Sequence, residues 1–175
     1  KNFPLNTELE SYLTFRGKAK GSWLLSVSPN SESFSVRTRH SFISLPDEGY
    51  KPRKFDPRAG YGAMTFYDYA SPIEDDLHVK YIRRHRLIKK HPEKEVSEAV
   101  EPIIYYLDRG VPEPVKSALL DGGAWWNEAF EAAGFKNAFQ IKVLPEGADM
   151  LDVRYNVIQW VHRSTRGWSY GSSVV

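Results

Sequence analysis

The chain has 175 residues, of which 41% are hydrophobic, and its 24 basic and 22 acidic residues leave a formal net charge of only +2. This balance is typical of a globular protein and argues against a nucleic-acid binder, whose charge is usually one-sided. The sequence contains no cysteine, which excludes disulfides, thiolate metal sites and cysteine nucleophiles. No apolar run approaches the roughly 20 residues that span a bilayer, and no signal-peptide pattern opens the chain.

The first 90 residues favour strands, because aromatic side chains make up 14% of the chain and recur there in alternating runs. Strands are predicted over residues 8–17, 21–28, 33–45, 61–69 and 77–88. The turn residues Pro29-Asn30-Ser31-Glu32 predict a hairpin between the second and third of these runs. Residues 46–60 contain three prolines and predict a long loop. Together these runs predict a small antiparallel β layer.

The clearest helix is predicted between Pro112 and Gly134. Apolar residues recur there three and four positions apart, as one face of a helix requires. They are Val115, Ala118, Leu119, Trp126, Ala129, Phe130 and Ala133. Pro112 suits the first helical turn, and Gly134 is the residue type that ends a helix in the left-handed conformation. Strand-like runs at 102–108 and 138–144 flank the helix, so the sequence predicts a βαβ unit with parallel strands.

Further strands are predicted over residues 150–162 and 168–175. The whole pattern predicts an α+β fold, in which an N-terminal antiparallel β layer precedes a mixed sheet that contains the βαβ unit and one long helix. A polar connection over residues 91–101 divides a β-rich domain at 1–90 from a second domain at 102–175. The chain lacks an initiator methionine and ends within an apolar run, so we expect a piece of a longer protein.

No residue pattern completes a catalytic site or a metal site. The five histidines lack the i, i+4 spacing that places two zinc ligands on one helical face, which leaves only a dispersed site open. They are His40, His78, His85, His91 and His162. The acidic run Glu74-Asp75-Asp76 lacks the glycine and the alternating oxygen donors of a calcium loop. A solvated turn is the favoured interpretation.

Three other features have structural interpretations that outweigh functional ones. The basic run at 83–90 invites phosphate contacts, but four glutamates between residues 93 and 101 follow it, so a charged strand face is favoured. No serine stands in a Gly-x-Ser-x-Gly elbow. The pair Trp125-Trp126 could form a ligand platform, but Trp126 lies on the apolar stripe and is predicted to be in the core.

Four stretches of the C-terminal half carry a resemblance that chance does not explain. They read EPIIYYLD at 101–108, PEPV at 112–115, WWNEAFEAAGF at 125–135 and DVRYNVIQWVHRST at 152–165. This part of the chain resembles large bacterial zinc-dependent metallopeptidase-like proteins of the metzincin type, which carry an uncharacterised β-rich domain before the peptidase domain. Residues 60–61 and 84–87 are similar to the end of that β-rich domain.

The resemblance implies a strand, a long helix, two strands and an edge strand, followed by a second helix with His-Glu-x-x-His. In such enzymes the histidines bind zinc and the glutamate is the general base. This sequence stops before that helix, so the resemblance implies zinc in the full-length protein but no cofactor, catalytic residue or activity in this fragment. The strand from Trp168 would lie near the substrate edge. Its candidate substrate-edge residues are Ser169, Tyr170, Gly171, Ser172 and Ser173.

The resemblance also implies a peptide or protein substrate and a secreted or periplasmic location in a bacterium. The open edge of an incomplete sheet could pair with a second copy, giving an edge-strand dimer. The second hypothesis is a non-catalytic module that binds a protein or a glycan through a peptidase-like fold. Nucleic-acid binding through the basic run is the third hypothesis, and neither a nucleic-acid partner nor a membrane span is expected.

Overall fold

The computed structural model describes residues 1–161, and it contains both strands and helices, which confirms the mixed α+β class. Contacts divide the chain into two compact units. The first unit combines Lys1–Leu45 with Gly147–Tyr155, and the second combines Pro46–Glu146 with the described residues from Asn156. The division of the sequence at 91–101 stays a prediction. No helix in residues 1–161 is long and apolar enough to cross a membrane.

The first unit is built on a long two-stranded ribbon. Strand β1 (Asn6–Arg16) pairs antiparallel with strand β2 (Ser33–Ile43), so that Asn6 faces Ile43 and Arg16 faces Ser33. Each strand has 11 residues, which corresponds to a length of about 36 Å. Only the end of β1 at Asn6 and Glu8 is buried, and the rest of that strand is exposed.

Residues 21–28, predicted as a strand, instead form the short helix α1 (Ser22–Val27). The helix is closed by hydrogen bonds from the Leu25 amide to the Gly21 carbonyl (3.2 Å) and from the Ser28 amide to the Leu24 carbonyl (3.0 Å). The hairpin predicted between residues 21–28 and 33–45 is therefore wrong, because β2 pairs with β1 over its full length. Two leucines and no sustained alternation leave this run free to become helical when another strand takes the pairing.

The second unit begins with another antiparallel pair. Strand β3 (Ala63–Tyr67) pairs with strand β4 (His78–Ile82), and a short 3-10 helix (Pro57–Ala59) precedes them. Strand β4 ends at Ile82, earlier than the predicted residue 88. The single N-terminal β layer that the sequence predicts is therefore wrong, since the two ribbons are separate two-stranded sheets in different units.

The core of the second unit is a three-stranded sheet in the order β8-β6-β9. Its strands are β6 (Ile103–Leu107), β8 (Phe139–Val143) and β9 (Asn156–Ile158), and both pairings are parallel. The predicted parallel βαβ unit is confirmed, but within residues 1–161 this sheet is entirely parallel rather than mixed. Leu107 on the central strand is fully buried. A two-residue parallel pair, β5 (Ser97–Glu98) with β7 (Phe135–Lys136), lies outside this sheet.

The predicted long helix is divided into α2 (Val115–Ala124) and α3 (Trp126–Ala132), which meet at Trp125. It begins at Val115 rather than Pro112, although the Lys116 amide donates to the Pro112 carbonyl at 2.9 Å. Gly134 ends the helix with φ +85°, as predicted. The core position predicted for Trp126 is wrong, because its side chain is 60% exposed and reaches Phe139 only with a ring-to-ring distance of 6.2 Å.

The strand predicted over residues 150–162 is reduced to the three residues of β9. Two aspartates form turns before it instead. The Asp149 carboxylate accepts the Leu151 amide (3.0 Å), and the Asp152 carboxylate accepts the Arg154 amide (3.1 Å). Such local side-chain acceptors compete with strand pairing for backbone hydrogens. The strand predicted over 168–175 lies outside the described residues.

A buried polar cluster ties the ribbon of the first unit to residues 147–155. The Asn6 amide donates to the Leu151 carbonyl (2.9 Å) and to the Glu8 carboxylate (2.7 Å), and its oxygen accepts the Val153 amide (3.2 Å). Asn6 is only 4% exposed. Because one side chain satisfies both a part-buried carbonyl and a part-buried amide, these bonds hold the segment against the ribbon.

Candidate functional site

The second unit has a polar cleft beside the first residues of strands β6 and β9. Its volume is about 230 Å³. The floor is formed by Leu87, Pro102 and Ile103, and the polar lining residues are Tyr50, His85, Arg86, Glu101 and Asn156. The cleft therefore presents a phenol, an imidazole, a guanidinium, a carboxylate and a carboxamide.

One wall is fixed by a bidentate pair between Arg86 and Asp47. The two terminal nitrogens of Arg86 donate to the two Asp47 carboxylate oxygens, at 2.8 and 2.7 Å. The Gly49 amide donates to the same carboxylate (2.8 Å), which turns the chain at this point. Hydrogen bonding from Arg86, and then from the Gly49 amide, lowers the pKa of Asp47 to about 2. The pair therefore stays charged at neutral pH and orients Arg86 along the cleft.

A second arginine of the basic run is also held by the protein. The Arg84 guanidinium lies 4.8 Å from the centre of the Tyr50 ring and donates to the Lys51 carbonyl. The Tyr50 hydroxyl donates to the Arg84 carbonyl at 3.4 Å. Since Arg84 and Arg86 both have internal partners, the basic run holds the 47–51 loop in place. The charged strand face predicted for this run is wrong, because β4 ends at Ile82 and residues 83–88 lie in no strand.

His85 and Glu101 are the two groups in the cleft that could exchange protons with a ligand. Partial burial lowers the pKa of His85, so that its imidazole is neutral at pH 7. Hydrogen bonding to Asp47 and its charge, and to a smaller extent the charge of Glu101, raise the pKa of Arg86. Asn156 donates to the Ile104 carbonyl (2.9 Å), which fixes the start of β9 against β6. The cleft can thus offer donors and acceptors to a polar ligand, but it lacks a paired nucleophile and base.

The described residues do not fit a zinc site. Among residues 1–161, no three His, Cys, Asp or Glu side chains come together as a metal-binding group. His78 stacks on Tyr67 (5.1 Å between ring centres), and His91 lies 3.5 Å from Glu93. His162 lies outside the described residues. No step through a metal is therefore assigned to these side chains.

An exposed aromatic patch lies on the β3–β4 ribbon. The ring of Tyr67 stacks on His78 and lies 6.5 Å from the ring of Tyr69. Tyr69 is 83% exposed. Aromatic faces held in this way are suited to apolar ring faces of ligands, and sequence reasoning did not single them out.

The residues that the sequence predicts for a site differ from those that form the cleft. The five predicted substrate-edge residues, Ser169, Tyr170, Gly171, Ser172 and Ser173, lie outside the described residues. Asp47 was missed, although the turn composition Pro46-Asp47-Glu48-Gly49 could have indicated an aspartate that accepts backbone hydrogens. Glu101 was considered only as part of a charge run and of the stretch 101–108, because the polar residues beside it in the cleft come from elsewhere in the chain.

The fold and the cleft define a mixed α+β protein with a small polar site beside a parallel sheet. Residues 1–90 match the family described as "Domain of unknown function (DUF5117)". Because the match covers more than half of the 175 residues, the chain belongs to this family. No curated protein and no solved structure matches the chain.

Proposed function

We propose that this chain is part of a zinc-dependent metallopeptidase of the secreted or periplasmic space of a bacterium. In this proposal residues 1–90 are the accessory β-rich region, and the residues that follow are the part of the peptidase fold that carries no metal ligand. Zinc and the general base would come from a helix beyond this sequence. The bound peptide would lie along an edge of the parallel sheet.

One observation carries the proposal: the order and direction of the elements after residue 102. Apart from the two-residue strand β7, the elements β6, α2 with α3, β8 and β9 follow one another in the order that the metzincin-type resemblance implies. The helix pair packs on the sheet through α2 and β8, where Gly123 meets Ile141, and through α3, where Phe130 stacks on Phe139 at 6.1 Å. Three of the similar stretches coincide with described elements: residues 101–108 include β6, residues 125–135 include α3, and the described part of 152–165 includes β9.

This part of the fold would act by positioning substrate rather than by chemistry. An extended peptide pairs with a sheet edge through backbone hydrogen bonds, which need no particular side chain on the strand. The cleft at His85 and Glu101 would bind polar side chains of a substrate, since it offers both donors and acceptors. The proposal assigns neither bond cleavage nor proton transfer to these residues.

The test is to express the coding sequence extended beyond Val175 and to measure zinc content and cleavage of a peptide library. We expect about one zinc per chain and cleavage that a chelator abolishes, with His-Glu-x-x-His in the added sequence. The 175-residue chain is the matched control and should cleave nothing. A longer chain that lacks the motif, or that binds no zinc, would reject the proposal.

A second candidate function, a non-catalytic glycan-binding module, is favoured by the aromatic patch of Tyr67, Tyr69 and His78. Stacking against sugar rings would use the exposed face of Tyr69. Calorimetry with a set of oligosaccharides should show binding that Tyr69→Ala abolishes. Tyr61→Ala is the matched control, because Tyr61 is a similarly exposed aromatic outside the patch. Equal affinity in both variants would remove this candidate.

A further inference from the structure

The connection between strands β1 and β2 combines exposed apolar and basic side chains. Helix α1 contains Trp23, Leu25 and Val27, each more than half exposed, and it has no buried residue. Trp23 is 78% exposed. A helix that is apolar over most of its circumference is normally buried in a core or a membrane. Within the described residues helix α1 is not buried in a core, so its apolar side chains are exposed and can contact a partner.

The charge on this connection is positive up to its last residue, Glu32, which adjoins strand β2. Arg16, Lys18 and Lys20 precede the helix, and no acidic residue occurs between Arg16 and Glu32. None of the three cations forms an ion pair with another described residue. Elsewhere on the ribbon the cations are balanced, as where Arg37 lies 3.9 Å from Glu10. The uncompensated charge is thus concentrated beside the apolar helix.

We propose that this tip, residues 16–27, is a docking site for an anionic lipid surface. Tryptophan and leucine enter the boundary between headgroups and acyl chains, while lysines extend to the phosphates. Protein interfaces, in contrast, are depleted of lysine. The combination of Trp23 and Leu25 with Lys18 and Lys20 therefore favours a bilayer over a protein partner.

The position of the tip within the first unit agrees with this role. The ribbon is anchored at the opposite end, where Asn6 and Glu8 are buried. The tip begins at Arg16, the last residue of β1, so it lies about 36 Å along the ribbon from that anchor. A shallow insertion at the tip would leave the packed end of the unit undisturbed. The contact is peripheral and requires no spanning segment.

The experiment is flotation of the 175-residue chain with phosphatidylcholine vesicles, with and without one-third phosphatidylglycerol. Binding is expected only with the anionic lipid, and it should weaken as salt is raised. Replacing both lysines, K18Q with K20Q, should lower the affinity by about 25-fold, at about fivefold for each cation near the surface. Replacing the apolar pair, W23S with L25S, should lower it by about tenfold for each side chain.

Trp125→Ser is the matched control, because Trp125 is 75% exposed but lies on the second unit. It should leave vesicle binding unchanged. Absence of binding to the anionic vesicles, or equal loss in the Trp125 and tip variants, would overturn the proposal. Self-association without lipid that is lost on W23S with L25S would assign the tip to a second copy and would also overturn it.

Discussion

Gly123 of helix α2 lies directly against Ile141 of strand β8, so closely that a Cβ atom on the glycine would fall 1.9 Å from the Ile141 Cδ1 and 2.6 Å from its Cγ1. The adjacent Gly122 has nothing within 4 Å of the same position. The two glycines therefore have opposite roles: one permits close packing of helix on sheet, and the other only lowers helix propensity.

The first prediction compares these two glycines. Gly123→Ala should reduce the free energy of unfolding by about 1–3 kcal/mol through overpacking. Gly122→Ala should raise it by about 0.5–1 kcal/mol through helix propensity. Urea denaturation measures both. In the double variant with Ile141→Ala, most of the Gly123→Ala penalty should disappear, because the Ile141 Cβ would be 3.5 Å away. Additive effects in this cycle would show that Ile141 is not the obstacle.

The second prediction concerns the Asp47 carboxylate. Its pKa of about 2 is below the ordinary 3.8, so the folded state binds fewer protons than the unfolded state in this range. The stabilisation from the Arg86 pair is present above about pH 4 and is lost as the pH falls toward 2. NMR titration of the Asp47 side chain should give this low pKa. In Arg86→Gln the pKa should return toward 3.8, and an ordinary value in the unaltered chain would contradict the pairing.

The third prediction tests the anchor of the ribbon. Asn6→Ala leaves the Leu151 carbonyl and the Val153 amide without their partner and should cost about 2–3 kcal/mol of unfolding free energy. Asn2→Ala, an exposed asparagine four residues away, should change it by less than about 0.5 kcal/mol. Chemical denaturation compares the two variants. Amide hydrogen exchange at Val153 should accelerate only when Asn6 is replaced.

The fourth prediction separates the cost of an unfavourable backbone conformation from the cost of steric crowding. Gly134 and Gly147 both have left-handed φ angles, +85° and +75°, so an alanine at either should cost about 1–2 kcal/mol. At Gly134 the new Cβ would also lie 2.8 Å from the Glu95 carbonyl oxygen, whereas nothing lies within 4 Å at Gly147. Thermal unfolding should therefore give Gly134→Ala a lower melting temperature than Gly147→Ala. The reverse order would contradict the packing at Glu95.

Local signals predicted those elements in which sequence pattern and pairing agree. A stretch with helical apolar spacing lies between two short apolar runs. This pattern predicts the parallel pair of β6 and β8 and the glycine at the end of the helix. Residues 22–27 were predicted as a strand because a run of Trp, Leu and Val satisfies either structure, and only the choice of β1 as partner for β2 decides it. Pattern alone could not supply that long-range pairing.

The cleft could not be predicted from the sequence either, because long-range contacts bring its residues together. Asp47 and Arg86 are 39 positions apart, and Asn156 enters from another strand. Trp126 shows the opposite error, since its helical spacing indicates the core whereas its side chain is 60% exposed.

The dependence of the first unit on residues 147–155 has a consequence for synthesis of the chain. Strands β1 and β2 leave the ribosome before the Leu151 and Val153 partners of Asn6 have been translated, because residues 46–146 intervene. At roughly 5–20 residues per second, the ribbon waits for on the order of 5 to 20 s. During that interval a two-stranded ribbon is only marginally stable. A nascent-chain chaperone would therefore meet Asn6 without its Leu151 and Val153 partners, and the family boundary at residue 90 would not mark a unit that finishes folding alone.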